Sequence, residues 1–296
     1  MGAPENPDTK CAEKFLFEFL SDKRVLSLPQ PLRATLAYVI ARRRKHAYAK
    51  SLEAIFRGGV HPLKANTEAL ARKAWELDGR PVYVAYRYGK NNIPQTIDAL
   101  KRSGTKYFLF MPLYPQQTRA TSESAAARIR RVLPRRQYKI AKPYFDDPSY
   151  ISALASTVPS KCETLVVSYH SIPLQHAKNS PYVAQCRRTT ELLARTLGLR
   201  DVHMAWQSAM PRGEWLAPST SETVEKLARG GRKSLTVIAP SFACDCSETL
   251  VELGRDLRKK FEELGGEKFF LCHSLNDSDA HARLVLKTFR LMEKKL

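Results

Sequence analysis

The sequence contains no long hydrophobic run. None of its apolar stretches approaches the roughly 18 residues that a membrane-spanning helix requires, so no span is predicted in the 296 residues. The amino-terminal segment MGAPENPDTK lacks the apolar core of a secretory signal. These two absences predict a cytoplasmic protein whose contact with the inner membrane, if any, is peripheral.

Cysteine is scarce and widely spaced. The sequence has no C-x-x-C pair, and its six cysteines stand far apart except for one C-x-C: Cys11, Cys162, Cys186, Cys244, Cys246 and Cys272. This usage is typical of reduced thiols in the cytoplasm. The C-x-C at Cys244 and Cys246 is a candidate metal site, but two cysteines without a second pair are a weak signal.

Motifs for nucleotide or nucleic-acid binding are also missing. There is no G-x-G-x-x-G, no P-loop, no zinc-finger spacing and no RNP-like signature. The net charge is nevertheless +20, and such a surface attracts polyanions, anionic membrane and acidic small molecules. Because the basic residues are spread over most of the chain, the charge predicts an anionic partner without choosing among these classes.

Short β-rich runs alternate with segments of helical periodicity. The apolar runs are PVYVAY (81–86), KYFLFM (106–111), TLVVS (164–168), VHMAW (202–206), SLTVIA (234–239) and KFFLC (268–272). The helical segments are 31–56, 62–77, 119–132, 149–158, 182–197, 220–229, 246–264 and 279–293. This alternation predicts an α/β fold with parallel sheets. We expect two Rossmann-like domains, residues 1–148 and 149–296.

Residues suited to a binding site follow the predicted strands. In open α/β sheets ligands bind at the carboxyl ends of the strands, where the sequence places Arg87, Tyr88, Tyr114, Trp206 and Trp215. Flat aromatic surfaces combined with arginine suit a large planar acid. The alternative is that these aromatic side chains only pack against the bases of the loops.

His170 and Glu248 are the candidates for chemistry. His170 closes the run TLVVS within SYHSIP, and Glu248 stands in the first turn of a predicted helix that faces the same rim. Glu248 alone would be read as a helix cap, stabilised by the helix dipole. Opposite a strand-end histidine, it can instead be half of an acid–base or metal-binding pair.

Seven motifs, in order, resemble those of the ferrochelatase family, whose members insert ferrous iron into a porphyrin to make haem. They are FLSDKRVLSLP, PLYPQQTRATSES, SYHSIP, YVAQCRRTTELLARTLGL, WQS with EWLAPST, PSFACDCSETLVEL and LNDS. The match covers essentially the whole chain, and the wording of SYHSIP resembles the proteobacterial-type branch. The usual substrate of that branch is protoporphyrin IX.

The resemblance implies a chelatase-type fold of two halves, each with a four-stranded parallel sheet flanked by helices, and a porphyrin cleft between them. It implies that His170 is the catalytic histidine, that Glu248 is its acidic partner, and that both contact the metal. Arg87 and Tyr88 match a pair that contacts the porphyrin, and the C-terminal helix is expected to pack back on the N-terminal half. Ferrous iron enters as a substrate, with no tightly bound cofactor.

The sequence departs from the family pattern in several places. The first family strand is not found before MGAP, so the N-terminal domain is expected to be truncated. His61 stands where a serine is usual, and Ala209 and Pro211 replace an arginine and a glycine. The cysteines do not match the set that holds a [2Fe–2S] cluster in some members, so we expect no cluster.

The expected function is therefore insertion of Fe²⁺ into protoporphyrin IX, which forms protohaem in the terminal step of haem biosynthesis. The alternatives are a catalytically weak porphyrin- or haem-binding relative, and coproporphyrin III as the acceptor. A basic nucleic-acid-binding protein is suggested by charge alone, and no nucleic-acid partner is expected. Contact with anionic membrane is the remaining partner that the charge suggests.

Overall fold

The computed structural model describes residues 1–210 and 213–294, which form two compact units. The first unit contains Met1–Pro112, Thr118–Lys142 and the described residues from Val285 onward. The second unit contains Leu113–Gln117 and Pro143–Leu284. The helices of the described residues include none with the length and hydropathy that crossing a membrane requires.

The first unit is mainly helical. Its elements are α1 (Thr9–Leu20), α2 (Leu32–Glu53), α3 (Pro62–Asp78), α4 (Ile93–Arg102), β1 (Phe108–Phe110), a π-helical turn (Arg119–Glu123), α5 (Ser124–Val132), a 3-10 turn (Arg135–Gln137) and β2 (Tyr138–Ile140). Small buried residues, among them Ala12 of α1 and Ala49 of α2, let the first two helices pack closely. The parallel pair β1–β2 is covered by α4 and α5 through Ile97 and Ile129.

The run at 81–86 does not form the strand that its composition predicts. A strand needs a neighbour about 4.8 Å away to complete its hydrogen-bonded ladder, and residues 81–85 have none among the described residues. Tyr83 is accordingly 55% exposed. The expected four-stranded sheet of this half is therefore a two-stranded one within the described part of the chain.

The second unit contains the larger sheet. Its elements are α6 (Pro148–Ala155), β3 (Thr164–His170), α7 (Leu174–Ala177), α8 (Tyr182–Leu197), β4 (Asp201–Gln207), α9 (Thr220–Arg229), β5 (Ser234–Ile238), a π-helical segment (Glu248–Leu257), α10 (Arg258–Glu263) and β6 (Lys268–Leu271). All strands are parallel, in the order β4-β3-β5-β6. The first six residues of β3 are buried, as expected of a central strand covered on both faces.

The last helix, α11 (Asp279–Glu293), contributes to both units, with its residues up to Leu284 in the second unit and those from Val285 in the first. In the first unit, Arg290 forms an ion pair with Asp78 at 2.8 Å. Lys139 of β2 donates to the carbonyl of Met292. The predicted fold class, parallel sheets flanked by helices, is confirmed.

Candidate functional site

The main chain of His170 is fixed at the carboxyl end of β3. Its register partner in the adjacent strand is Gln207, the last residue of β4. Its carbonyl oxygen accepts a hydrogen bond of 2.9 Å from the hydroxyl of Tyr182. The six residues before it are buried, whereas His170 is only partly buried. The strand therefore delivers the imidazole to the edge of the sheet at which ligands bind in this class of fold.

The His170 ring has a defined tautomer. Its Nδ1 lies 2.6 Å from the carbonyl oxygen of Ser171, and because a carbonyl oxygen only accepts, Nδ1 carries the proton. In the neutral ring, Nε2 is then the nitrogen that has an available lone pair. Within the described residues, no hydrogen bond to Nε2 is formed. The ring of Phe242 lies beside the imidazole, with 6.3 Å between the centroids.

Gln207 connects His170 to the start of the π-helical segment. The Gln207 Oε1 accepts a hydrogen bond of 2.8 Å from the hydroxyl of Ser168. Its Nε2 donates at 3.0 Å to the main-chain carbonyl of Glu248. Gln207 therefore pairs with His170 through the main chain of the sheet and binds Glu248 through its side chain. The structure brings the two predicted catalytic residues to the same edge of the sheet.

Glu252 is a residue of this site that sequence reasoning missed. Its carboxylate accepts a hydrogen bond of 2.7 Å from the main-chain N–H of Ser208, and a second from the Ser208 hydroxyl. Ser208 has φ 62, a left-handed conformation that disfavours residues other than glycine. The carboxylate therefore holds the chain in a strained turn directly after β4. The available signal was the acidic residue four positions after Glu248 in the same helical segment.

Trp215 pairs with Pro173, three residues after His170 in the sequence. The segment 214–216 pairs with the chain just after β3: Leu174 N–H donates to the Glu214 carbonyl, and Leu216 N–H donates to the Ile172 carbonyl. Trp215 itself bridges to Pro173 and is partly exposed. Its position is compatible with contact to a ligand at the His170 edge.

Trp206 and Tyr114 are placed differently. Trp206 is 3% exposed, and its ring packs between Tyr169 and Tyr182 at centroid distances of 5.9 and 5.8 Å. Trp206 is therefore a core residue. For this side chain, the structure agrees with the alternative that the aromatic rings pack against the bases of the loops. Tyr114 is partly buried in the segment Leu113–Gln117, which is anchored to α8 by the Gln117 N–H donating to the Gln185 side chain at 2.7 Å.

Arg87 and Tyr88 lie together in the first unit, around Asp22. The guanidinium of Arg87 forms an ion pair with Asp22 and stacks on the Tyr88 ring at 4.5 Å. Tyr88 is 1% exposed and donates its hydroxyl to Asp22 at 3.0 Å, and burial raises the Tyr88 pKa. Burial of Asp22 raises its pKa. Hydrogen bonds from the Ser124 hydroxyl and the Arg24 N–H, together with the positive charge of Arg87, lower the pKa by more. The pKa of Asp22 is therefore below its ordinary value.

The amino-terminal residues pack against this same segment. The carbonyl of Met1 accepts hydrogen bonds of 2.9 Å from the N–H groups of both Arg87 and Tyr88. Gly2 has φ +114 and approaches the Tyr88 carbonyl so closely that a Cβ would lie 2.3 Å from it. Only glycine fits this approach, so Met1 and Gly2 help to fix the main chain of the Arg87–Tyr88 pair.

The described residues contain no cluster of three or more His, Cys, Asp or Glu side chains suited to a metal ion. The structure does not favour the C-x-C as a metal site, because Cys244 and Cys246 are both buried. Burial raises the Cys246 pKa well above its usual range, and the neighbouring Glu248 carboxylate raises it further. The thiolate that binds a metal is therefore disfavoured at this position.

The structure describes two of the residues that depart from the family pattern, His61 and Ala209. His61 is buried as the N-cap of α3, where its Nδ1 accepts from the Leu63 N–H at 3.1 Å. Ala209 is exposed just after the strained Ser208 turn. Pro211 lies outside the described residues.

The fold is that of the metal chelatases. SirB from Bacillus subtilis with Fe3+ superposes with a TM-score of 0.60 at 14% sequence identity, over 78% of this chain and 90% of that chain. The sirohydrochlorin chelatase SirB from Bacillus subtilis subspecies spizizenii in complex with cobalt gives a TM-score of 0.57 at 12% identity. At these identities the likeness shows the fold alone.

The sequence comparisons then identify the family. The ferrochelatase family model matches residues 1–292. The ferrochelatase of Aliivibrio fischeri (strain MJ11) is 35% identical over 96% of this chain and 93% of that protein. That of Rhodopseudomonas palustris (strain BisA53) is 38% identical over 96% of this chain and 89% of that protein. The chain belongs to the ferrochelatase family, as its motifs predict, and this is a family of enzymes that insert a metal ion into a porphyrin.

Proposed function

We propose that this protein inserts Fe²⁺ into protoporphyrin IX to form protohaem, the terminal step of haem biosynthesis. The observation that carries the proposal is the geometry of His170 in a chain of the ferrochelatase family. Its Nδ1–H is bonded to the Ser171 carbonyl, so in the neutral ring the free lone pair is that of Nε2, at the carboxyl end of β3. That nitrogen is suited to accept a proton or to bind a metal ion.

The proton balance of the reaction explains why a neutral imidazole is useful. Insertion of a divalent metal ion into a porphyrin releases two pyrrole N–H protons. A neutral imidazole is a suitable acceptor for one of them near neutral pH. In our proposal His170 accepts this proton through Nε2 while Nδ1–H stays bonded to Ser171, so the ring keeps its orientation, and the second pyrrole proton passes to solvent water.

Glu248 is proposed as the second group of the site. Nitrogen and carboxylate ligands both suit ferrous iron, so His170 and Glu248 together can deliver the metal to the macrocycle. The bond from Gln207 to the Glu248 carbonyl supports this role, because it fixes the start of the helical segment next to β4. Arg87, Tyr114 and Trp215 are the proposed porphyrin contacts. Tyr88 and Trp206 are buried, so in our proposal they act within their own units, Tyr88 by packing against Arg87 and Trp206 by packing between Tyr169 and Tyr182.

The proposal is tested anaerobically with Fe²⁺ and protoporphyrin IX, following the porphyrin absorption bands. We expect wild-type turnover and a loss of at least 100-fold in kcat for His170→Ala, in line with the typical contribution of a general base. His203→Ala is the matched control, because His203 lies in β4 and is bonded to Asp201 at 2.7 Å. Its turnover should stay within twofold of wild type.

Running the same assay with coproporphyrin III determines the acceptor. A higher kcat/KM for coproporphyrin III would replace protoporphyrin IX in the proposal while keeping the chelatase chemistry. Tight binding of both porphyrins without turnover by the wild-type chain would contradict the proposal and assign the protein as a porphyrin-binding relative.

A further inference from the structure

An arginine-lined cavity lies beside Asp22 in the first unit. Its volume is about 160 Å³, which is room for more than a single water molecule. Six cations from four parts of the first unit line its wall. They are Lys23 and Arg24 after α1, Arg33 in α2, Arg87, and Arg128 and Arg131 in α5. We call this cavity the arginine pocket.

The charges that line the arginine pocket are strongly unbalanced. Against its six cations stands one carboxylate, that of Asp22, and Arg87 is already paired with it. The other five cations have no ion-pair partner within the described residues. Like charges held close together repel each other, so an anion bound among these cations would relieve the repulsion.

Two donors at the wall of the pocket are also left without partners. The Nε of Arg33 and the hydroxyl of Ser21 are buried and form no hydrogen bond with the described residues. Arg33 is nevertheless oriented, because its Nη1 donates to the Leu28 carbonyl at 2.8 Å. Buried donors without acceptors are costly. The oxygen atoms of a bound anion would supply the missing acceptors.

We propose that the arginine pocket binds a phosphate group. Among the described residues that line it, only Ala127 is apolar, so it lacks the apolar walls that hold a flat macrocycle. Guanidinium groups approaching from several elements suit a tetrahedral oxyanion with many acceptor positions. The phosphate can belong to a soluble phosphate ester or to a phospholipid headgroup. Of the residues that line the pocket, Arg87 is also a proposed porphyrin contact, so the experiment below includes a competition between phosphate and protoporphyrin IX.

The test is calorimetric titration of the full chain with inorganic phosphate at pH 7 and low, constant ionic strength. We expect one saturable site. The double variant Arg128→Met/Arg131→Met should bind phosphate at least tenfold more weakly. Arg33→Met, which removes a cation contributed by another element, should weaken binding as well.

The matched control is Arg130→Met/Arg136→Met. It removes the same charge from exposed positions that do not line the pocket, and its affinity should stay within twofold of wild type. Equal weakening of both double variants would overturn the proposal, because it would indicate non-specific attraction to a basic surface. Absence of saturable phosphate binding would overturn it too. So would stoichiometric displacement of phosphate by protoporphyrin IX, which would assign the arginines to porphyrin carboxylates.

A second arm identifies the source of the phosphate. Wild type and both double variants are sedimented with vesicles of phosphatidylglycerol in phosphatidylcholine. Binding that is lost only in Arg128→Met/Arg131→Met and reduced by inorganic phosphate supports a headgroup in the pocket. If vesicle binding is equal in all three proteins while the calorimetric difference persists, the result supports a soluble phosphate ester.

Discussion

Asp22 accepts hydrogen bonds from four different groups. Its Oδ2 receives those of the Arg87 guanidinium, the Ser124 hydroxyl and the Tyr88 hydroxyl, and its Oδ1 receives the Arg24 N–H at 2.8 Å. Each hydrogen bond to an ionised carboxylate contributes more than one between neutral groups. At the residue scale, this one carboxylate fixes the position of the Arg87–Tyr88 pair.

Replacing Asp22 with asparagine should destabilise the protein by about 2 kcal/mol at pH 7, since it removes charge-assisted hydrogen bonds and leaves Arg87 unpaired. The pKa of Asp22 is lowered in the folded state from its ordinary value of 3.8. Its contribution is therefore fully present above that value and is lost as the pH falls through the folded pKa.

Urea unfolding of wild type and Asp22→Asn between pH 7 and pH 3 measures this difference. The gap in unfolding free energy should be constant down to about pH 4 and should narrow below it. A gap that widened on acidification would contradict the ionised state of Asp22 in the folded protein.

At the scale of elements, the strands and helices with a strong local pattern were predictable. Both ends of α8, α9 and α11 lie where the periodicity places them, and β3 delivers His170 as expected. Helices α1 and α4 were missed. The run at 81–86 was wrongly predicted as a strand, because pairing depends on a neighbour that is distant in sequence.

The candidate site shows the same limit. The positions of His170 at a strand end and of Glu248 at the start of a helical segment could be predicted, because strand ends and helix starts are local features. The burial of Trp206 between Tyr169 and Tyr182 could not be predicted, since it depends on how α8 packs against β4. The role of Glu252 also depends on a contact across 44 positions of sequence, to Ser208.

The turn after β4 allows a matched comparison at Ser208. Ser208→Ala and Ser208→Gly both remove the hydroxyl that bonds Glu252, but only glycine adopts φ 62 without a steric penalty. Ser208→Gly should therefore be more stable than Ser208→Ala by about 1 kcal/mol. Urea midpoints of the two variants provide the measurement. Equal midpoints would show that the turn relaxes in the alanine variant.

At the scale of the whole molecule, charge is the dominant feature. Lys and Arg total 49 against 29 Asp and Glu, for a net charge of +20. A net charge of this size destabilises a compact chain through self-repulsion. The arginine pocket concentrates part of this excess at one place.

Added sodium chloride should therefore stabilise the protein. Raising the ionic strength from about 0.01 to 0.15 M shortens the screening length from about 30 to 8 Å. The resulting gain in unfolding free energy should be on the order of 1 kcal/mol. Chemical denaturation with urea, which is uncharged, measures the gain without adding ions. A loss of stability with salt would indicate that specific ion pairs outweigh the general repulsion.

The tautomer of His170 depends on a main-chain oxygen, that of Ser171. A side-chain acceptor can be deleted by a single codon change, whereas every residue at position 171 carries a carbonyl. A substitution at position 171 therefore does not by itself remove the main-chain acceptor that holds the proton on Nδ1. The Ser171 side chain makes a separate hydrogen bond to the Leu216 carbonyl and is buried, so packing limits which residues fit at this position. The hydrogen bond that orients the imidazole thus depends on the path of the main chain and not on the identity of residue 171.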